Sequence, residues 1–173
     1  TMSPHGPRTT IQPGPLGEVL EGATRPTHFA GVLTVVAKLF ALTGARDAFF
    51  GEKDYQQLAL IRQMVDDLHL PVRVHGCPIV RDADGLALSS RNRYLSASER
   101  EVALAIPRAI ATGSVDSARS LLDATPDLHL DYLVATTPDL AELPAGFTGE
   151  ARLLVAAKVG STRLLDNAPI QIS

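Results

Sequence analysis

Two short stretches of this 173-residue chain concentrate side chains able to handle a phosphorylated ligand. The first is Gly51-Glu52-Lys53-Asp54-Tyr55-Gln56-Gln57. It follows a strand-like run at residues 47–50 and precedes an apolar stripe of Leu58, Ile61, Val65 and Leu68 at helical spacing. In open α/β sheets ligands gather at the carboxyl ends of strands, and the free N–H groups of a helix start favour an anion. Lys53 supplies a flexible point charge suited to phosphate. The Asp54 carboxylate can accept from ribose hydroxyls, and Gln57 offers a donor and an acceptor to a polar substrate. A purely structural account fits the same residues: Asp54 and Gln57 have capping-box spacing, and Lys53 is then a solvated side chain.

The second stretch is Leu88-Ser89-Ser90-Arg91-Asn92-Arg93-Tyr94, which crowds hydroxyls, a guanidinium and an amide together. Arginine binds phosphate oxygens in a bidentate fashion, and serine hydroxyls can supplement it. A polar interdomain loop would have the same composition. A third candidate is Arg25-Pro26-Thr27-His28-Phe29-Ala30-Gly31, where His28 near a helix start can contact a phosphate, act as an acid, or serve only as a structural hydrogen-bonder. Val80 sits at the end of a strand-like segment, where plain core packing would also account for it.

These residues need elements to hold them. Phe29, Val32, Val36, Leu39 and Phe40 predict a helix over residues 27–42, with Gly44 as its stop. Residues 47–50 read as a short buried strand, the stripe after Asp54 as a helix ended by Pro71, and residues 72–75 as the next strand. Helix, strand, helix, strand is the order of βαβ units with a parallel sheet. Upstream, residues 1–27 are rich in Pro, Gly and Thr, with one short extended candidate at Thr9-Thr10-Ile11. The pattern changes near residues 82–88, where a domain boundary is expected. Ser96 and Glu99 predict a capping box opening a helix to about Ala111, kinked by Pro107. Gly113 breaks it, and residues 114–124 form another helix. Leu128, Leu130, Tyr132 and Val134 alternate as in a half-buried strand, and residues 152–159 and 162–166 read as two strands around Gly160. The fold class is α/β at residues 1–82, followed by a small α+β domain of helices and an antiparallel sheet at residues 83–173.

Composition narrows the function classes. With 45% hydrophobic and 20% charged residues the chain belongs with globular proteins. Net charge of −3, no Trp, three Tyr and five Phe argue against a dedicated nucleic-acid binder, which needs a basic footprint and stacking platforms. No apolar run approaches the ~20 residues of a membrane span, and Thr1-Met2-Ser3-Pro4-His5-Gly6-Pro7 has no apolar core of a leader peptide. The histidines and Cys77, the single cysteine, form no zinc pattern, so no metal ligand set is expected. One cysteine allows no internal disulfide and fits a reducing, cytoplasmic setting.

Taken together, Arg25-Pro26-Thr27-His28-Phe29-Ala30-Gly31-Val32, Phe49-Phe50-Gly51-Glu52-Lys53-Asp54-Tyr55-Gln56-Gln57 and Leu86-Ala87-Leu88-Ser89-Ser90-Arg91-Asn92-Arg93-Tyr94-Leu95 occur in that order. The chain resembles the pantoate–β-alanine ligase (pantothenate synthetase) family, of actinobacterial type, from about Arg8 to the C-terminal end. Arg152-Leu153-Leu154-Val155-Ala156-Ala157 and Thr162-Arg163-Leu164-Leu165-Asp166-Asn167 extend the likeness.

The resemblance implies the C-terminal part of a Rossmann-like nucleotide-binding domain followed by a lid domain. It implies Mg-ATP activation of pantoate to pantoyl adenylate, release of pyrophosphate, and attack by the β-alanine amine to release AMP. By position it places Gly51, Glu52, Lys53 and Asp54 on ATP, with Lys53 on phosphates and Asp54 on the ribose, and Gln57 on pantoate. Val80 would meet the adenine through its backbone, and Leu88, Ser89, Ser90 and Arg91 would wrap the phosphates. Lys53, Ser89, Ser90 and Arg91 are the implied catalytic set, while Arg25 and His28 would line the site. The family is homodimeric. Its His-x-Gly-His motif is not in this sequence, so the resemblance implies a piece lacking the family's N-terminal portion. A non-catalytic nucleotide-binding or interaction module retaining half of the site remains the alternative, and so does an adenylate-forming enzyme acting on another acid. Residues 1–82 are expected to be marginal alone, because their sheet edges lack partners. Residues 86–95 are expected to move as a lid.

Overall fold

A computed structural model describes residues 6–173. Thr1 to His5, which hold most of the start read above for a leader, lie outside the described residues. The chain divides into two units, one ending at Cys77 and the other beginning at Pro78. The break comes before the expected 82–88 boundary for a physical reason: residues 81–87 fold as a hairpin onto the second unit. Arg81 and Ala87 bridge, the Asp82 N–H donates to the Leu86 carbonyl at 2.8 Å, and Arg81 holds Asp166 through two bonds of 2.7 and 2.9 Å.

In the first unit a short helix α1 (Glu21–Thr24) leads to α2 (His28–Thr43), β1 (Asp47–Gly51), α3 (Tyr55–Asp67) and β2 (Arg73–Cys77). Helix α2 ends as the sequence predicts: Gly44 takes the left-handed conformation at φ 60°, and its N–H reaches the Phe40 carbonyl. Strands β1 and β2 pair in parallel with Asp47 opposite Arg73 and Gly51 opposite Cys77. One face of this pair, with Ala48, Phe50 and Val74, packs on a core built around Phe29, Leu33, Leu60, Ile61 and Met64. The other face is open, so β1 is not the buried strand expected. Phe49 is 68% exposed and stacks on His75 at 4.8 Å, beside Asp47, which Arg73 grips in bidentate fashion. Of the expected α3 stripe, Leu58, Ile61 and Val65 are buried, whereas Leu68 lies past the helix end and is exposed. Thr9-Thr10-Ile11 form no strand; the Ile11 N–H donates instead to Thr34 Oγ at 2.9 Å.

The second unit holds α4 (Ala97–Ala103), α5 (Ala105–Ala111), α6 (Val115–Asp123) and an antiparallel sheet of β3 (Leu128–Thr136), β4 (Gly149–Val159) and β5 (Thr162–Ile172) with β4 central. The Ser96–Glu99 capping box is complete. Pro107 divides the expected single helix: its ring opposes the carbonyl of Ala103, where α4 ends. Ser114 caps α6, and Gly160, at φ 56°, turns β4 into β5. Both strands run longer than expected. The alternation expected along β3 holds only to Leu130, because a bulge at Asp131 shifts the register and turns Leu133, not Tyr132 or Val134, into the core. That core joins Ile106, Ala109 and Leu122 of the helices to Leu153, Val155 and Val159 of β4.

Candidate active site

In the first unit the candidate residues lie where a parallel sheet presents ligands. Gly51 closes β1, Glu52–Asp54 make one tight helical turn, and α3 begins at Tyr55. This places Lys53, Asp54 and Gln57 at the carboxyl end of β1. The expected Asp54–Gln57 capping box does not form: Asp54 occupies the N-cap position with φ −93° and ψ 63°, and its carboxylate makes no cap hydrogen bond. A single tight helical turn precedes α3 there, and the capping account of Asp54 fails. Gly51 has an ordinary φ of −67°, and a Cβ built there would meet nothing within 4 Å. Nothing among the described residues demands glycine at that position. Glu52 folds over β2, where a Cβ added at Gly76 would stand 2.8 Å from its Oε1.

Gln57 is half-buried, but its neighbour Gln56 has the heavier structural duty. Gln56 is 3% exposed. Its Oε1 accepts from the Glu21 N–H at 3.0 Å, and its Nε2 donates to the carbonyls of Leu16 and Val19 at 2.7 and 2.9 Å. The segment leading to Arg25 and His28 is thereby fixed to the first turn of α3. Gln56 was missed in the sequence, yet it carried a signal: it stands at i−4 from Leu60 and i−8 from Met64, on the buried face. Arg25 follows α1 and is exposed, and its carbonyl accepts from the His28 N–H at 3.1 Å. The His28 ring, at the first position of α2, lies 5.1 Å from that of Phe29. A cavity of about 580 Å³ opens beside them, lined by Gly14, Gly22, Pro26, Thr27, Phe29 and Ala30. Lys53, Asp54 and Gln57 are not among its walls.

The remaining candidates belong to the second unit. The hairpin of residues 81–87 brings Val80 and Leu88 together, with the Leu88 N–H donating to the Val80 carbonyl at 2.8 Å. Val80 is 66% exposed and Leu88 53%, so Val80 is not a core residue. Ser89 caps a short 3-10 turn, its Oγ accepting from the Arg91 N–H at 3.2 Å, and the hydroxyl keeps its own proton to donate. Ser90 and Arg91 are exposed. The frame behind this loop is charged: Arg100 of α4 binds Asp84 at 2.7 Å and Asp82 at 2.7 Å. Arg100 holds the Asp84 carboxyl below its usual range, helped by the Leu86 N–H, and the two carboxylates raise Arg100 in turn.

The family model described as pantoate-beta-alanine ligase matches residues 1–169. A curated pantothenate synthetase of Nocardia farcinica is 58% identical over 99% of this chain and 56% of its own length. That of Corynebacterium jeikeium is 56% identical over 99% of this chain and 58% of its own. The chain thus spans little more than half the length of these relatives. The crystal structure of pantothenate synthetase from Thermus thermophilus superposes with TM-score 0.88 at 44% identity, covering 96% of this chain and 65% of that one. The Francisella tularensis pantoate-beta-alanine ligase, complexed with beta-gamma ATP and beta-alanine, superposes with TM-score 0.73 at 32% identity, covering 96% and 60%. An α/β unit with a parallel strand pair, followed by an antiparallel three-stranded unit, is thus shared with pantothenate synthetases of known structure, and the chain belongs to the pantoate–β-alanine ligase family.

Proposed function

We propose that this chain carries the ATP-gripping part of a ligase that joins pantoate to β-alanine through a pantoyl adenylate. The observation that carries the reading is the β1–α3 turn. A lysine, an aspartate with no cap bond and a glycine the fold does not need converge at the carboxyl end of a parallel strand. Gly51, Glu52, Lys53 and Asp54 would receive the nucleotide, with Lys53 on the phosphates and Asp54 on the ribose. Gln57 would orient pantoate. Val80 would meet the adenine, and Leu88, Ser89, Ser90 and Arg91 would enclose the phosphates. Arg25 and His28 would line the approach.

In the first step the pantoate carboxylate attacks the α-phosphorus, and the bond to pyrophosphate breaks. In the second the β-alanine amine attacks the acyl carbonyl, loses a proton, and expels AMP. Neither step needs a protein nucleophile. The protein's task is to hold reactants in line and to neutralise charge on the phosphates, through Lys53, Arg91 and the serine hydroxyls. Among the described residues no group of three or more His, Cys, Asp or Glu could hold a metal. Magnesium bound with ATP would supply further charge neutralisation at the phosphates. Among the described residues no helix is long and apolar enough to cross a membrane. A cytoplasmic homodimer completes the proposal.

The test is AMP formation by the purified chain with ATP, magnesium, pantoate and β-alanine, with Lys53→Ala as control. Formation should require both acids. The control should lose on the order of 100-fold or more in rate, the usual consequence of removing one preorganised charge contact, with an unchanged melting temperature. ATP binding without AMP formation would leave a nucleotide-binding module instead, and near-normal turnover by Lys53→Ala would remove Lys53 from its role.

A further inference from the structure

Asn92 is the one residue of the Ser89-Ser90-Arg91-Asn92-Arg93 run that turns inward. It is 8% exposed, while Ser90, Arg91 and Arg93 face out. Its Nδ2 donates to the Ala87 carbonyl at 3.0 Å and lies 3.4 Å from Asp82 Oδ2. Its backbone N–H donates to the Ser89 carbonyl at 3.0 Å, and its carbonyl accepts from the Leu95 N–H at 3.2 Å. One side chain therefore joins both ends of residues 88–91. The near end is tied again by the Leu88 N–H to the Val80 carbonyl.

We propose that Asn92 is a positioning residue, a side-chain staple that holds residues 88–91 in a phosphate-receiving conformation before the nucleotide arrives. For the ligand the inference rests on the ATP reading above; for the staple it rests on geometry alone. The frame to which Asn92 fastens the loop is itself braced. Asp82 is held by Arg100 of α4, and the adjacent Arg81 is held by the buried Asp166 of β5. The path from helix and sheet to loop is thus a run of polar contacts, short at Arg100–Asp82 and Arg81–Asp166 and longer, at 3.4 Å, between Asp82 and Asn92. An ordered loop loses less conformational freedom when it closes on phosphates, and that saving appears as affinity.

The acceptor end of the amide sharpens the argument. Asn92 Oδ1 is buried and has no hydrogen-bond partner. A buried orphan acceptor is a cost that a leucine of similar shape would avoid. What an amide offers at this position, and leucine does not, is the Nδ2 donor that closes the loop. The staple also revises the expectation of a lid spanning residues 86–95: Leu86 and Ala87 are buried and Asn92 is stapled, which leaves residues 88–91 as the segment able to respond to a ligand.

Two variants of the full chain test this. Asn92→Asp keeps the shape but sets a carboxylate against the Ala87 carbonyl and Asp82; Asn92→Leu removes the donor and the orphan acceptor together. Amide hydrogen exchange at Leu88 and Asn92 should accelerate about tenfold or more in both variants, with β4 amides unchanged, as expected when one net hydrogen bond of ~1–1.5 kcal/mol is lost. The dissociation constant for Mg-ATP should rise by a similar factor, while that for β-alanine stays put, a split that general destabilisation would not produce. Unchanged exchange in both variants overturns the staple. Faster exchange with unaltered ATP affinity overturns its role in positioning. If the wild-type chain binds no ATP, the nucleotide reading is what fails, and with it the phosphate role of the loop. The exchange rates then still decide the staple.

Discussion

Helices α3 and α4 begin differently. At α4 the Ser96 hydroxyl accepts from the Glu99 N–H and the Glu99 carboxylate returns the bond to the Ser96 N–H, so the polar groups of that first turn satisfy one another. At α3 the Asp54 carboxylate takes no part in capping, and the inward-facing amide of Gln56 reaches away to Leu16, Val19 and Glu21. The difference follows from what each turn must do. The α4 turn has only to begin a helix, so its polar atoms are consumed locally. The α3 turn stands at the end of a parallel strand, and its Asp54 carboxylate makes no cap bond.

The units around these turns differ in the same sense. In the second, a three-stranded sheet buries Leu153, Val155 and Val159 under three helices. In the first, one strand pair covers one face only, and Phe49, Val35, Leu39 and Leu42 are exposed. Two strands are marginal as a sheet. The first unit carries Lys53, Asp54 and Gln57 on the smaller buried core.

The largest test of this contrast is a pair of core truncations. Leu60 of α3 and Leu153 of β4 are each 0% exposed, and alanine at either should cost about 2–5 kcal/mol. The expected outcome is asymmetric. Leu60→Ala should abolish slow amide exchange across α2, β1 and α3, while Leu153→Ala should lower the unfolding midpoint of the second unit and leave it folded. Equal protection of both units in the parent chain would break the comparison.

Adjacent glutamines give the next contrast. Gln56→Leu leaves the buried Glu21 N–H and the part-buried carbonyls of Leu16 and Val19 without their partner, and about 1–3 kcal/mol should be lost in denaturant titration. Gln57→Leu should stay within about 0.5 kcal/mol while weakening pantoate binding. The two helix starts come third. Ser96→Ala should cost about 1 kcal/mol, whereas Asp54→Ala should leave the melting temperature in place and weaken ATP binding. A clear loss of stability at Asp54 would return that residue to a structural role.

Acid gives the smallest effect. The Ser96 N–H holds Glu99 below its ordinary 4.5, and the Arg100 guanidinium holds Asp84 below 3.8. A carboxyl lowered in the folded state stabilises fully above its ordinary value, and that contribution fades as pH falls through the lowered one. Melting temperature should therefore drop below about pH 4.5, and Asp84→Asn with Glu99→Gln should flatten that part of the curve.

The sequence by itself determined what depends on near neighbours. The helix of residues 28–43 and its stop at Gly44, the Ser96 cap, the break caused by Pro107 and the turn at Gly160 all follow from interactions within a few residues. The three motifs in order were enough to identify the family, because each is long and chemically unusual. Tertiary structure decided the features that join distant positions. Gln56 meets Glu21 across 35 residues, and Arg81 meets Asp166 across 85. The bulge at Asp131 shows only where β3 is paired with β4. Spacing alone could not show whether Asp54 caps its helix, since a capping box and a ligand site ask for the same residues there. What the structure adds is one tight turn of backbone before α3 and an Asp54 carboxylate that makes no cap bond.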